Sequence, residues 1–223
     1  MGWVVYSRLR SPTGRDEERA ELIRLFVPSS REGEPFVASL AAMSKVGTVW
    51  YMAVKVDPRP GETLPADMMT DYVRARDGSI TYGLIVLTSR AGGEWGYKDM
   101  DEGMGPVQAT APLAFLDALS DLVHAPQRYA ADWRARVRAY HAARKALPRF
   151  RPGDRVATET VLEFGEDPLI GQPIRAARFE AFVHKPSRGR RGQTLYKTLD
   201  TQVPYTVRIT AAQMAQAGAR KVA

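Results

Sequence analysis

The stretch Thr48-Val49-Trp50-Tyr51-Met52-Ala53-Val54-Lys55-Val56 decides the fold class. Val49, Tyr51, Ala53 and Lys55 alternate with Trp50, Met52, Val54 and Val56, and the residues are β-branched, aromatic or apolar. A period of two in such residues is the pattern of a strand, and the Trp50/Met52/Val54/Val56 face is the one expected in a core. Upstream, Phe36–Lys45 reads as a second strand, joined to the first at Val46-Gly47 as a hairpin. Downstream, residues 57–79 hold Pro58, Pro60, Gly61 and Pro65 and read as a long loop, and Ile80–Thr88 reads as the next strand.

Further out, Trp3–Arg8 alternates in the same way and predicts a short strand. A helix is expected from about Arg15 to Phe26, with Asp16, Glu17 and Glu18 in its first turn, where they complement the helix dipole, and Pro28 to stop it. A helix beginning near Thr110, with the stripe Leu113, Leu116, Leu119 and Leu122 or Val123, precedes a second helix over about Gln127–Leu147. The second carries Arg134, Arg138, His141 and Lys145 at helical spacing, which reads as one basic face. The Pro148–Asp154 segment resets the chain, and the strands Arg155–Phe164, Ile174–His184, Thr194–Leu199 and Tyr205–Ile209 follow with turns between them. The expected architecture is α+β: an antiparallel sheet with packed helices in residues 1–148, then a small β-rich SH3-like or sandwich domain in residues 149–223. The tail from Thr210 predicts a short helix that frays at Gly218.

Composition narrows the chemistry. Of 223 residues 44% are hydrophobic, enough for a substantial core. No run approaches the roughly 18 apolar residues of a membrane span. The first residues lack a secretory signal pattern, so a cytoplasmic location and no membrane partner are expected. The absence of cysteine excludes disulfides, Cys-ligated zinc and thiol catalysis. The three histidines, His124, His141 and His184, form no zinc-binding spacing. Phosphate-cradle, dinucleotide and serine-elbow motifs are absent, and no catalytic residue, metal or cofactor is assigned. Charge is uneven. Residues 1–127 hold 13 Lys+Arg against 17 Asp+Glu, net −4, and residues 128–223 hold 19 against 8, net +11. A basic rear half points to nucleic acid or an acidic protein as partner.

Two segments are candidate sites. Gly96-Tyr97-Lys98-Asp99-Met100-Asp101-Glu102-Gly103-Met104-Gly105-Pro106 packs three carboxylates and a lysine into five residues between glycines. Carboxylates this close repel one another and need solvent, Lys98, backbone N–H groups or a cation to offset them. The segment reads as a loop whose Tyr97, Lys98, Asp99, Asp101 and Glu102 form a recognition surface. Its alternative use is as oxygen ligands for magnesium in a phosphodiesterase or nuclease. A third reading docks the acidic loop on the basic rear of the chain or of a second copy. The other segment, Lys185–Gly192, carries Arg188, Arg190 and Arg191 on a glycine-containing hairpin tip suited to phosphates, with Tyr196 close by to stack on a base. With Arg134 and Arg138 these arginines complete the expected binding set.

The Gly96–Pro106 segment also resembles a bacterial family found on phages, plasmids and integrative elements. That resemblance takes in Met1-Gly2-Trp3, the Val46–Lys55 stretch, Gly96–Pro106 itself, Ala111-Pro112 where the family has Cys-Pro, and Trp133-Arg134. It spans about residues 1–150. It implies a mobile-element context and accessory roles such as host takeover or counter-defence, and supplies no activity. The alanine at position 111 removes any thiol role there.

Overall fold

The structure is a computed structural model and describes residues 4–9, 12–28, 33–91, 94–123, 128–184 and 192–223. The protein is mixed α+β, with two antiparallel sheets and, among the described residues, four helices. It divides into two compact units, residues 1–142 and 143–223.

The first unit is built on a five-stranded antiparallel sheet. Its strands are Val4–Leu9 (β1), Phe36–Val46 (β2), Val49–Pro58 (β3), Ile80–Ala91 (β4) and Glu94–Asp101 (β5), in the order β1-β5-β4-β3-β2. Gly47, at φ +60°, makes the tight turn between β2 and β3 that the sequence marks. The acidic segment departs from expectation. Most of it is a strand, not a loop, and β5 is paired on both sides, with Val4↔Asp99 toward β1 and Val86↔Asp99 toward β4. Tyr97 turns into one core and Met100 into the core on the opposite face, so the charged run is anchored by two apolar side chains.

Both faces of this sheet are covered. On one lie Trp50, Met52, Val54, Val56, Tyr82, Val86 and Tyr97, packed under Leu22 of the helix Arg15–Phe26 (α1). Glu18 of α1 is also buried and accepts hydrogen bonds from Trp50 Nε1 (3.0 Å) and Lys45 Nζ (2.5 Å). On the other face lie Val49, Tyr51, Ala53, Ile85 and Met100, packed under Phe115, Leu116, Trp133 and Val137. The second face of β3, which alternation alone leaves for solvent, is therefore core as well.

The helix expected from Thr110 to Val123 is short. It runs only over Leu113–Asp117 (α2), its N-cap is Pro112 and not Thr110, and Leu113 is exposed. It stops because the following backbone pairs elsewhere. Ser120 N–H donates to Thr81 O (2.8 Å), Val73 N–H to Asp121 O (2.7 Å) and Val123 N–H to Asp71 O (3.0 Å), and Tyr72 bridges Leu122. These bonds also tie down part of the 57–79 segment. The next helix, Arg128–Ala146 (α3), follows the expected bounds closely.

The second unit holds one five-stranded antiparallel sheet. Arg155–Glu166 (β6), Pro173–His184 (β7), Gln193–Thr198 (β8), Thr206–Val207 (β9) and Arg220–Val222 (β10) lie in the order β10-β6-β7-β8-β9. A short helix, Ala211–Gln216 (α4), precedes β10 and is capped by Thr210 with Gln213. Val156, Ala176, Phe179, Ala181, Tyr196, Val207, Ile209 and Met214 form its core.

Candidate functional site

Glu102 follows β5 and opens a 3-10 turn, Glu102–Met104. Asp101 caps that turn by accepting Met104 N–H at 3.0 Å, and Gly105, at φ +66°, closes it. Glu102 is fully buried and Arg134 of α3 is 4% exposed. Arg134 grips the carboxylate with two donors, Nε to Oε2 at 2.6 Å and Nη2 to Oε1 at 2.8 Å. Oε1 also accepts Tyr72 O–H and Gly83 N–H, each at 3.0 Å. Arg134 Nη1 donates to Ser120 O at 2.8 Å.

The register explains the Gly83 contact. The β4–β5 ladder ends at Leu84↔Asp101, and the Glu102 side chain takes the next amide in line. Gly83 gives this approach room, and a side chain there would press on its neighbours. A Cβ there would sit 3.0 Å from Phe115 Cζ and 3.3 Å from Glu102 Cδ. The surroundings shift the pKa of both Tyr72 and Arg134. Burial raises the Tyr72 pKa, and the Glu102 charge and hydrogen bond raise it further, so Tyr72 remains a donor. Burial opposes the charge on Arg134, but the Glu102 hydrogen bonds and charge outweigh it and hold that pKa up.

The expected site residues therefore separate. Glu102 and Arg134, thirty-two positions apart, come together as a buried ion pair. Tyr97 is 1% exposed and belongs to the core against Phe26, so it is not a recognition residue. Asp99 is half-buried. Burial raises its pKa, and the neighbouring Asp101 adds to the effect. Asp101 is exposed and, with Asp67, Asp71, Tyr72 and Tyr82, lines a cleft of about 270 Å³. Lys98 is half-buried on the opposite face of β5 from Asp99. With both oxygens of Glu102 engaged, the three-carboxylate metal set loses a member. Among the described residues, no group of three or more acidic or histidine side chains is gathered to hold a metal ion.

The basic face of α3 also dissolves. Arg134 points inward and His141 Nε2–H donates to Ala111 O at 2.8 Å, while Arg138 and Lys145 remain exposed. Arg188, Arg190 and Arg191 lie outside the described residues. Tyr196 is 6% exposed, edge-on to Phe179 in the second core, so it is not placed to stack on a base.

Sequence reading missed Tyr72, Gly83 and Ser120, which complete the Glu102 centre. It also missed a groove of about 610 Å³ in the second unit, lined by Arg155, Val156, Ala157, Arg178, Leu199, Arg220, Val222 and Ala223. Its arginines come from three strands, and no local motif marks them.

Residues 124–212 match the model of a family described as Domain of unknown function (DUF6927). The match takes in α3 and most of the second unit and leaves out the acidic segment. No curated protein and no solved structure matches the chain.

Proposed function

We propose that this chain is a non-enzymatic accessory binding protein that contacts nucleic acid or an acidic protein through its basic C-terminal half. The observation that carries this reading is the fate of the acidic segment. Its one fully buried carboxylate, Glu102, is spent on Arg134, Tyr72 and Gly83, which is a structural latch and not a reactive centre. This contact takes Glu102 out of any ligand set, which supports binding over magnesium-dependent cleavage. The charge balance points the same way. Residues 143–223 carry 15 Lys+Arg against 7 Asp+Glu, net +8.

An SH3-like small barrel is the finer reading of the second unit. It is supported by five antiparallel strands, the last returning beside the first, and by register shifts in the β6–β7 ladder that bend the sheet. The resemblance of Gly96–Pro106 to mobile-element proteins supports a role beside a genetic element.

The test is binding of purified protein to labelled DNA, RNA and an acidic polypeptide across a salt series, with and without magnesium, followed by a gel for cleavage. Salt-sensitive binding without cleavage is the expected result. Magnesium-dependent cleavage lost in Asp99→Asn would replace this reading with the nuclease one.

A further inference from the structure

We infer that the groove between Arg155, Arg178 and Arg220 is a binding site for the phosphate backbone of duplex nucleic acid. The inference rests on the reading that the second unit binds a polyanion, and names the site and the ligand.

Three neighbouring strands build it. Arg220 of β10, Ala157 of β6 and Arg178 of β7 form one cross-strand row. Strands lie about 4.8 Å apart, so Arg220 and Arg178 rise about 10 Å apart at the backbone on either side of a methyl group. Arg155 stands two residues along β6 on the same face, opposite Val222 and Glu180. The small side chain of Ala157 leaves the trough open, and the three arginines line it.

These arginines differ from two other cations of the same sheet. Arg175 is paired with Glu163 (3.0 Å) and Lys221 with Asp154 (2.5 Å). Among the described residues, Arg155, Arg178 and Arg220 are exposed and have no carboxylate within ion-pair distance, although Glu180 faces Arg155 across the ladder. Strand pairing fixes the backbone of all three in advance, and that of Arg178 is held further. The Asp200 carboxylate accepts Ala177 N–H (2.8 Å) and Arg178 N–H (3.1 Å), and Leu199 N–H donates to Arg178 O (2.9 Å). A held backbone carrying forked guanidinium groups is suited to bidentate contact with phosphate oxygens.

The rest of the lining selects among polyanions. It is aliphatic, with no aromatic ring, and the neighbouring Phe179 and Tyr196 are buried in the core. Single-stranded nucleic acid is gripped by stacking its bases on exposed rings, and none lines the groove. Protein interfaces are anchored by aromatic and methionine side chains, also missing from it. Duplex is bound through its backbone without either, which leaves its phosphates as the ligand the groove fits.

The experiment is fluorescence anisotropy of the full chain with a labelled mixed-sequence duplex, the matching single strand and polyglutamate, over a salt series. Each phosphate neutralised on B-form DNA adds about 0.9 to the slope of log affinity against log salt, so the three arginines account for a slope of roughly 2.7 and about a 40-fold loss of affinity between about 50 and about 200 mM salt. The triple variant Arg155→Gln, Arg178→Gln, Arg220→Gln is expected to lose that share of the slope. A control triple with the same change in charge, Arg175→Gln, Lys197→Gln, Arg208→Gln, is expected to lose less. Glu180→Gln is expected to tighten binding. Equal loss in the two triples, or tighter binding to the single strand or to polyglutamate, overturns the groove while leaving the polyanion reading intact. No binding of any probe by wild type overturns both. Should the triple variant not fold, phenylglyoxal modification of wild type mapped by mass spectrometry decides: duplex shields Arg155, Arg178 and Arg220 if the groove is the site, and leaves them reactive if it is not.

Discussion

Removing either charge of the Glu102–Arg134 pair strands the other where no water reaches it. Glu102→Gln and Arg134→Met should each destabilise the first unit by about 3–5 kcal/mol, the usual cost of breaking a buried pair from one side. The pair also costs desolvation, so the double variant Glu102→Gln, Arg134→Met should lose much less than the sum. Urea unfolding of the four proteins tests this, and additive losses would show that the two residues are not coupled. Asp99 behaves in the opposite sense. Burial raises its folded-state pKa, so ionisation there is a penalty that grows as pH rises through that raised value. Asp99→Asn should therefore raise the midpoint of thermal unfolding at neutral pH by a small amount. The gain should vanish below the ordinary aspartate range, where the wild-type side chain is neutral in both states. A gain independent of pH would assign the effect to packing.

At the level of elements, what was legible in the sequence was what depends on near neighbours. The period of two in β3, the acidic first turn of α1, and the proline and glycine punctuation around Pro148–Asp154 all describe local preferences, and β3, α1 and β6 form with bounds close to those expected. Two elements escaped because distant partners decide them. The charges of β5 suggest a solvated loop, but pairing to β1 and β4 satisfies its backbone and Tyr97 and Met100 anchor it. The leucine spacing after Thr110 suggests a long helix, but Ser120–Val123 pairs with 71–73 and Thr81. The Glu102 centre was illegible for the same reason: spacing carries no sign that Glu102 meets Arg134, or that its carboxylate lies against Gly83. Ser120 reports on this nonlocal pairing, since its hydroxyl accepts Thr81 N–H at 2.8 Å. Ser120→Ala leaves that buried amide short of an acceptor and should cost about 1–2 kcal/mol, within the range for an unsatisfied buried donor. Hydrogen exchange gives the local reading. The amides of Thr81, Val73 and Val123 should exchange faster, and unchanged rates would show that the pairing stands without the hydroxyl.

Across the whole molecule, charge and packing divide along the same boundary. Residues 1–142 carry 17 Lys+Arg against 18 Asp+Glu, net −1, whereas residues 143–223 are net +8. Each unit also owns its core, with Trp50, Met52, Phe115 and Trp133 in the first and Val156, Phe179 and Tyr196 in the second. Units that keep separate cores should unfold as separate cooperative blocks. Scanning calorimetry should then resolve two transitions, each answering to its own substitutions. Glu102→Gln should lower only the transition of the larger unit, by roughly 10 °C or more. Val156→Ala removes two buried carbons from the smaller core at a cost of about 2 kcal/mol, and should lower only the other transition, by about 10 °C. A duplex that binds the folded second unit should raise that transition alone, since a ligand stabilises only the block whose native state it recognises. A single transition moved by both substitutions would mean that the units unfold together. The charge boundary would then separate surfaces of one cooperative domain, and the duplex would raise the melting of the entire chain.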